Sequence, residues 1–334
     1  MPRIASPCKA YSGGLMHPVF IVLISLAALL LLFFAATYIP YLMTFHRPRG
    51  RKYTRPEDGL EKEGYRQFSE ISMKLIEDIR SREFESVYVR TQDGLTLHAR
   101  YYHVEDGRPV AIQCHGYKST PMRDFSGGAV MTMDMGFNVL LIEQRAHEES
   151  DGSTICFGEK ERYDLLLWID YITKRFGGDT KIMLYGISMG AATVILASAL
   201  ELPANVLGAV ADCPYSSAKE IIKNTIRGMK LPSGPLYPLV RLGGILYGKT
   251  DPERADVVKA AREHKIPILL IHGEGDTFVP CEMSRKIYEG LKDDGLCSLN
   301  TFPNAEHGIS YLHDTERYIA LVREFVTRLG AIEK

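Results

Sequence analysis

Neither sign of charge is in excess: 40 basic side chains stand against 41 acidic ones in 334 residues, a formal net charge of −1. Without a global positive field there is nothing to hold a polyanion, which argues against nucleic acid as a partner. Cysteine is sparse. The six (Cys8, Cys114, Cys156, Cys213, Cys281 and Cys297) form no CxxC pair at metal-finger spacing, so neither a structural zinc site nor a disulfide scaffold is indicated. Internal repeats and low-complexity tracts are missing as well. With 46% hydrophobic and 24% charged residues the composition is that of a folding chain, not a disordered one. Tryptophan occurs once, as Trp168 in a helical apolar stripe, and is expected in the core.

What is present is unevenly distributed. Val19 to Met43 carries no charge, and residues 19–39 as a helix reach the ~30 Å of a hydrocarbon core. We read 1–18 as a tail, 19–43 as one transmembrane helix and 44–60 as a basic juxtamembrane linker. The alternative is a cleaved signal peptide. Its apolar run is long for that, and Phe33 and Phe34 stand upstream of Ala35-Ala36 where a cleavage site needs a small residue. Arg3 and Lys9 precede the span, whereas Arg47, Arg49, Arg51, Lys52 and Arg55 follow it, so the positive-inside rule favours a cytoplasmic C-terminal domain.

Residues 61–334 read as one domain. Helical spacing of Tyr65, Phe68, Ile71, Leu75 and Ile79 predicts an amphipathic helix. Strand patterns follow at 84–90, 95–102, 109–115, 137–144, 181–186, 206–213, 267–273 and 297–302. Helical patterns lie between them at 124–135, 159–175, 189–201, 282–292 and 311–329. This alternation predicts an α/β fold, a mainly parallel eight-stranded sheet covered on both faces and opened by an antiparallel pair. The long interval between the sixth and seventh strands, broken by glycines and prolines, predicts a small helical cap at about 216–261.

Gly186-Ile187-Ser188-Met189-Gly190 ends a strand and opens a helix. That is the pattern of a nucleophile elbow, in which a strained turn lifts the serine out of the sheet and flanking glycines let backbone approach closely. His115-Gly116-Tyr117 ends an earlier strand. Its loop offers the Tyr117 N–H to an oxyanion hole, paired with the N–H of Met189. Asp276, after strand 267–273, and His307, in Asn304-Ala305-Glu306-His307-Gly308, complete a Ser188, Asp276, His307 triad in the order nucleophile, acid, base. Asp212 is the rival acid. His115 and His272 are read as structural and His313 as an exposed helix residue. Cys213, Ser216 and Ser217 lie beside the site, as lining or as packing. No metal or organic cofactor is called for.

The combination of HGY, GISMGA, DCPYSS, HGEGDTFVP and AEHG resembles the α/β-hydrolase superfamily from Phe84 to Leu329. It is most similar to the serine aminopeptidase-like and prolyl-oligopeptidase-like branch that includes membrane-anchored members. Glu143 to Gly152 is similar to that branch's D-x-R-G-H-G-x-S loop, with Glu143 for Asp and Glu148 for the second Gly. The resemblance implies a serine hydrolase acting on an ester, thioester or peptide bond.

The first reading is therefore an esterase or lipase-like enzyme whose substrate is an acyl ester, a lipid or a peptide, held at the membrane by its N-terminal helix. An aminopeptidase of the same mechanism is the alternative, with Glu148, Glu149 or Glu274 holding an α-ammonium group; a catalytically silent binding scaffold is the third reading. The cap carries Lys223, Arg227, Lys230, Arg241 and Lys249 among Ile221, Ile222, Leu236, Leu239, Leu242 and Leu246. It is expected either to bind an acyl chain with an anionic head or to be a solvated face over an ordinary pocket.

Overall fold

The computed structural model describes residues 18–48, Glu57, 63–291, Gly295 and 297–333. The N-terminal tail with Arg3, Cys8 and Lys9, most of the expected linker with Arg49, Arg51, Lys52 and Arg55, and the end of the 282–292 helical pattern lie outside the described residues. The chain opens with α1 (Pro18–Thr44), whose 27 residues extend ~40 Å. It is the one described helix long and apolar enough to cross a membrane. A tight turn at Glu63–Phe68 precedes α2 (Ser69–Ser81), so the helix expected from 65 starts later.

The remaining elements alternate as expected. They are β1 (Glu85–Arg90), β2 (Thr96–Tyr102), β3 (Val110–Cys114), α3 (Pro121–Asp134), β4 (Asn138–Ile142), α4 (Glu161–Phe176), β5 (Ile182–Ile187), α5 (Met189–Ser198) and β6 (Val206–Asp212). Next come α6 (Ala218–Gly228), α7 (Ser233–Gly243), a π-helical turn at Gly244–Gly248, α8 (Val257–Arg262), β7 (Ile268–Gly273), α9 (Glu282–Tyr288), β8 (Ser298–Phe302), α10 (Ser310–His313) and α11 (Thr315–Arg328). The strands form one eight-stranded sheet in the order β1-β2-β4-β3-β5-β6-β7-β8. It is mixed: β1–β2 and β2–β4 are antiparallel and every other pair is parallel. This is the α/β-hydrolase architecture.

Strand alternation explains why the central strands are apolar throughout. Ile112, Leu184, Ala211 and Leu270 face one core, shared with α4, α5, α8 and α9. Their neighbours Ala111, Tyr185, Val210 and Ile271 face the other, shared with α2, α3 and α11. A parallel sheet covered on both faces has no solvated side to mark with polar residues. Trp168 is fully buried in the first core. Helix α3 begins three residues before the apolar pattern does, because Pro121 occupies its first turn and the Thr120 side chain accepts the Arg123 N–H. The pattern at 311–329 divides into α10 and α11, with Asp314 capping the second helix through the Arg317 N–H.

Residues beyond Met43 do not form a free spacer. The Ile155 N–H donates to the Phe45 carbonyl (2.8 Å), and the Arg47 N–H donates to the Ser153 carbonyl (2.9 Å). Phe45 is fully buried and meets Phe157 edge-on at 5.7 Å. The last turns of α1 therefore belong to the domain. They sit on the cap, where Gly243 lies so close to the Thr37 carbonyl that a Cβ there would overlap it, and a Cβ at Gly244 would press on the Phe45 ring at 2.9 Å.

Candidate active site

The elbow between β5 and α5 holds Ser188 at φ 55°, ψ −112°, in the left-handed half of backbone space that a non-glycine residue adopts only under constraint. The constraint is visible on both sides. A Cβ at Gly190 would overlap the Cys114 carbonyl, and one at Gly186 would overlap the backbone of Gly190. Strand, turn and helix can approach this closely only with glycine at both positions. The Ser188 N–H donates to the Asp212 carbonyl (2.9 Å), which pins the turn to the neighbouring strand.

From the loops after β7 and β8, Asp276 and His307 come to the same point. His307 Nε2 lies 3.0 Å from Ser188 Oγ, and His307 Nδ1 lies 2.6 Å from Asp276 Oδ2. The Asp276 side chain is fully buried and that of His307 is 20% exposed. Asp276 Oδ1 accepts the N–H groups of Phe278 (2.9 Å) and Val279 (2.8 Å). Burial alone pushes the Asp276 carboxyl up. Hydrogen bonds from His272 and His307, with the Val279 N–H, outweigh burial and hold it at about 2. It is a carboxylate at neutral pH and accepts the Nδ1–H of His307.

Asp212, the rival acid, is equally buried and has the opposite environment. Burial drives its carboxyl up to about 6, opposed by His272, Tyr318 and His307. Its carboxyl accepts from the Tyr318 hydroxyl and, at 3.5 Å, from the Ser310 hydroxyl, and neither partner is a base. The geometry gives His307 to Asp276. His272 backs that carboxylate: its Nε2 stands 3.3 Å from Asp276 Oδ2 and 2.7 Å from the Val279 carbonyl, while Nδ1 meets Ser284 Oγ at 2.6 Å.

Among the described residues, the backbone N–H groups of Tyr117 and Met189 donate to no partner. The loop carrying the first is braced by two buried histidines in edge-to-face contact at 4.6 Å. His115 accepts the Gln144 N–H through Nε2, and His147 accepts the Lys118 N–H through Nε2. Burial lowers the pKa of both, keeping each a neutral acceptor. The bracing role of His147 has no signature in the sequence, because it depends on where a turn places the ring beneath Lys118.

That loop departs from the family pattern at three places, not two. Ala146 (φ 61°) and Glu148 (φ 41°) both stand in left-handed backbone where the pattern has glycine. The buried Glu143 carboxylate lies 2.9 Å from His98 Nδ1 and accepts the Glu149 N–H at 2.7 Å, so the longer acid finds partners of its own. The residues nominated to bind an α-ammonium group do not line the cavity. Burial and the neighbouring Glu143 charge hold Glu148 up at about 7, and Glu274 faces Arg285 and Thr301. Ser217 caps α6 through the Glu220 N–H and the Ser216 carbonyl receives the Val257 N–H, so both pack. Cys213 lies next to Asp276 and His307 but does not line the cavity.

A cavity of about 450 Å³ opens beside Ser188, with Leu75, Ile76, Phe125, Met131, Tyr311 and Leu312 among its walls. None of these comes from the cap. Of the two readings of the cap at 216–261, an acyl-binding lid finds no support in the cavity lining: α2, from the segment before the first strand, contributes to that wall, and the cap seats α1. Tyr65, in the turn before α2, donates its hydroxyl to the His307 carbonyl and ties this wall to the loop that carries His307. Burial raises the Tyr65 phenol, so it remains a neutral donor. Nothing in the spacing of 65–79 signals this contact, which spans most of the chain.

The chain is 27% identical to the Bacillus subtilis protein YqkD over 276 residues, covering 78% of this chain and 90% of that one. It is 26% identical to the thiohydrolase aneE of Aspergillus aculeatus over 147 residues, 43% of this chain and 46% of that one. Among solved structures, a Pyrococcus furiosus esterase superposes with a TM-score of 0.61 at 25% identity, covering 75% of this chain and 93% of that one. Est1E from Butyrivibrio proteoclasticus, with ferulic acid bound, gives 0.59 at 23% identity over 73% and 99%, a likeness of fold. Residues 125–331 match the model of the prolyl oligopeptidase family. With more than half its length inside that match, including Ser188, Asp276 and His307, this chain belongs to the prolyl oligopeptidase family.

Proposed function

We propose that the chain is a membrane-anchored serine esterase that cleaves an ester or thioester bond through an acyl-enzyme intermediate. The hydrogen-bonded line from Ser188 through His307 to Asp276 carries this reading. Ser188 Oγ attacks the acyl carbonyl as His307 Nε2 takes its proton, and the Asp276 carboxylate stabilises the imidazolium that forms. The oxyanion meets the N–H groups of Tyr117 and Met189, each such donor contributing ~3 kcal/mol at the transition state. His307 then protonates the leaving group. A water, deprotonated by the same nitrogen, releases the acid.

An ester is favoured over a peptide because Glu148, Glu149 and Glu274 do not line the cavity, and because the carboxylate of Asp124, which does line it, is engaged by the Gly116 N–H (2.7 Å) and the Ser119 hydroxyl (2.5 Å). A silent scaffold would have no use for a strained serine held at hydrogen-bond distance from a base. Retention of α1 is favoured by the burial of Tyr41 and Phe45 in the domain core. A cytoplasmic catalytic domain rests on the flanking charges, Arg47 and the basic residues after it against Arg3 and Lys9. The test is fluorophosphonate labelling with a p-nitrophenyl ester series. Wild type is expected to label and turn over, and Ser188→Ala to lose both by ~10⁴-fold or more. Equal labelling of the two would overturn the assignment.

A further inference from the structure

We infer that the cavity takes its ester from the headgroup layer of the bilayer that α1 enters, so that the substrate is an acyl lipid of the enzyme's own membrane. This rests on the esterase and anchor readings above. Counting from Pro18, ~20 helical residues cross the ~30 Å hydrocarbon core and end near Thr37. At that level the helix meets the cap through hydroxyl-bearing aromatics. Thr37 Oγ1 is 3.0 Å from Tyr247 Oη, and the Tyr247 ring lies 6.0 Å from Phe34, 5.0 Å from Tyr38 and 5.6 Å from Tyr41. Rings with one apolar end and one wet end collect where hydrocarbon gives way to headgroups. Beside Tyr247, Ile245 and Leu246 are 41% and 48% exposed, a surface that lipid covers at this depth.

The helix then runs ~10 Å further to Thr44, at the outer edge of the headgroup layer. There the catalytic loop takes hold of it. Tyr117 donates its hydroxyl to the Thr44 carbonyl (2.7 Å), and Lys118 Nζ donates to the Met43 carbonyl (3.0 Å). Those carbonyls are left without intrahelical donors at the end of α1. Tyr117 is also the proposed oxyanion donor, so the reacting centre stands about one tyrosine side chain from the membrane surface. Phe278, 45% exposed, sits edge-on to the His307 ring at 5.1 Å and lines the cavity together with Leu75 and Ile76 of α2. This is a path for an acyl chain leaving a bilayer.

The test uses the full chain reconstituted in phosphatidylcholine–phosphatidylglycerol vesicles containing 4-methylumbelliferyl oleate. Diluting the vesicles tenfold in buffer is expected to leave turnover per enzyme unchanged, whereas diluting the ester tenfold within the bilayer lowers it about tenfold. A rate that follows bulk concentration and ignores the mole fraction overturns the inference. Water-soluble p-nitrophenyl acetate is assayed on the same vesicles. Its turnover with no oleate turnover rejects the lipid source alone, whereas failure of both, together with no fluorophosphonate labelling, rejects the hydrolase. Extraction of the chain by alkaline carbonate rejects the anchor. Independently, Leu246→Trp is expected to add emission that brominated lipid quenches, against a wild type whose Trp168 is buried; unquenched emission overturns the depth assigned to the cap.

Discussion

The catalytic edge and the seat of α1 are built by opposite means. Along the edge, each candidate group lies within five residues of a strand's end: Ser188 after β5, Asp276 after β7, His307 after β8. Glycines at 186 and 190 are required by backbone that passes within overlap distance of their missing Cβ. The seat of α1 also depends on glycine, at 243, 244 and 248, but its partners Thr37, Tyr41 and Phe45 are two hundred residues away in the chain. One region is specified by short motifs and the other by complementarity between distant segments. The two regions meet at Tyr117, whose backbone N–H is the proposed oxyanion donor and whose hydroxyl holds the end of α1.

The two buried carboxylates give the largest contrast within the edge. Asp276→Asn is expected to lower kcat/KM by ~10³ to 10⁴ by leaving His307 in the wrong tautomer, whereas Asp212→Asn stays within about tenfold of wild type. Similar losses in both would mean that the base is shared. Their pH signatures are opposed as well. Asp276 is depressed to about 2, so the stability it contributes is present above its unfolded value near ~4 and is lost as pH falls through about 2. Asp212 is raised to about 6, so its contribution is present below ~4 and is lost as pH rises through about 6. Thermal unfolding followed from pH 4 to 8 is expected to show Asp212→Asn gaining on wild type up to about pH 6 and levelling above that.

Gly243→Ala tests the seat without touching the triad. Its Cβ overlaps the Thr37 carbonyl, an overpacking of ~1 to 3 kcal/mol. The end of α1 is expected to lift, with proteolysis near residues 45–47 accelerated, ester turnover reduced several-fold and fluorophosphonate labelling retained. Unchanged proteolysis would show that the cap does not grip the helix. Two smaller effects separate the ties to the site. Tyr117→Phe removes one hydrogen bond to the Thr44 carbonyl, worth ~1 kcal/mol, and is expected to lower kcat about fivefold with KM little changed. Tyr65→Phe releases the His307 carbonyl and is expected to alter the chain-length preference more than the rate on acetate esters, because α2 supplies the cavity wall.

Much of the fold and nearly all of the candidate triad were legible in the sequence, for an identifiable reason. A parallel sheet buried on both faces announces each strand as an apolar run, and an elbow that admits only glycine at two positions has a short signature. The contribution of Pro121 to the start of α3 and the division of 311–329 by Asp314 were missed because caps act at single residues inside an apolar pattern. His147 was legible only as part of a motif, since its role is an acceptor placed under Lys118 by a turn.

The order of elements and the elbow are local properties, set by side-chain period and backbone sterics, and the amino-acid sequence alone specifies them. The choice between Asp276 and Asp212, the replacement of the cap by α2 as the cavity wall, and the seating of α1 against Gly243 and Tyr117 are different in kind. Each depends on distances between segments far apart in the chain, and hydrogen bonds, burial and pKa values arise from those distances only once the sheet has brought the segments together.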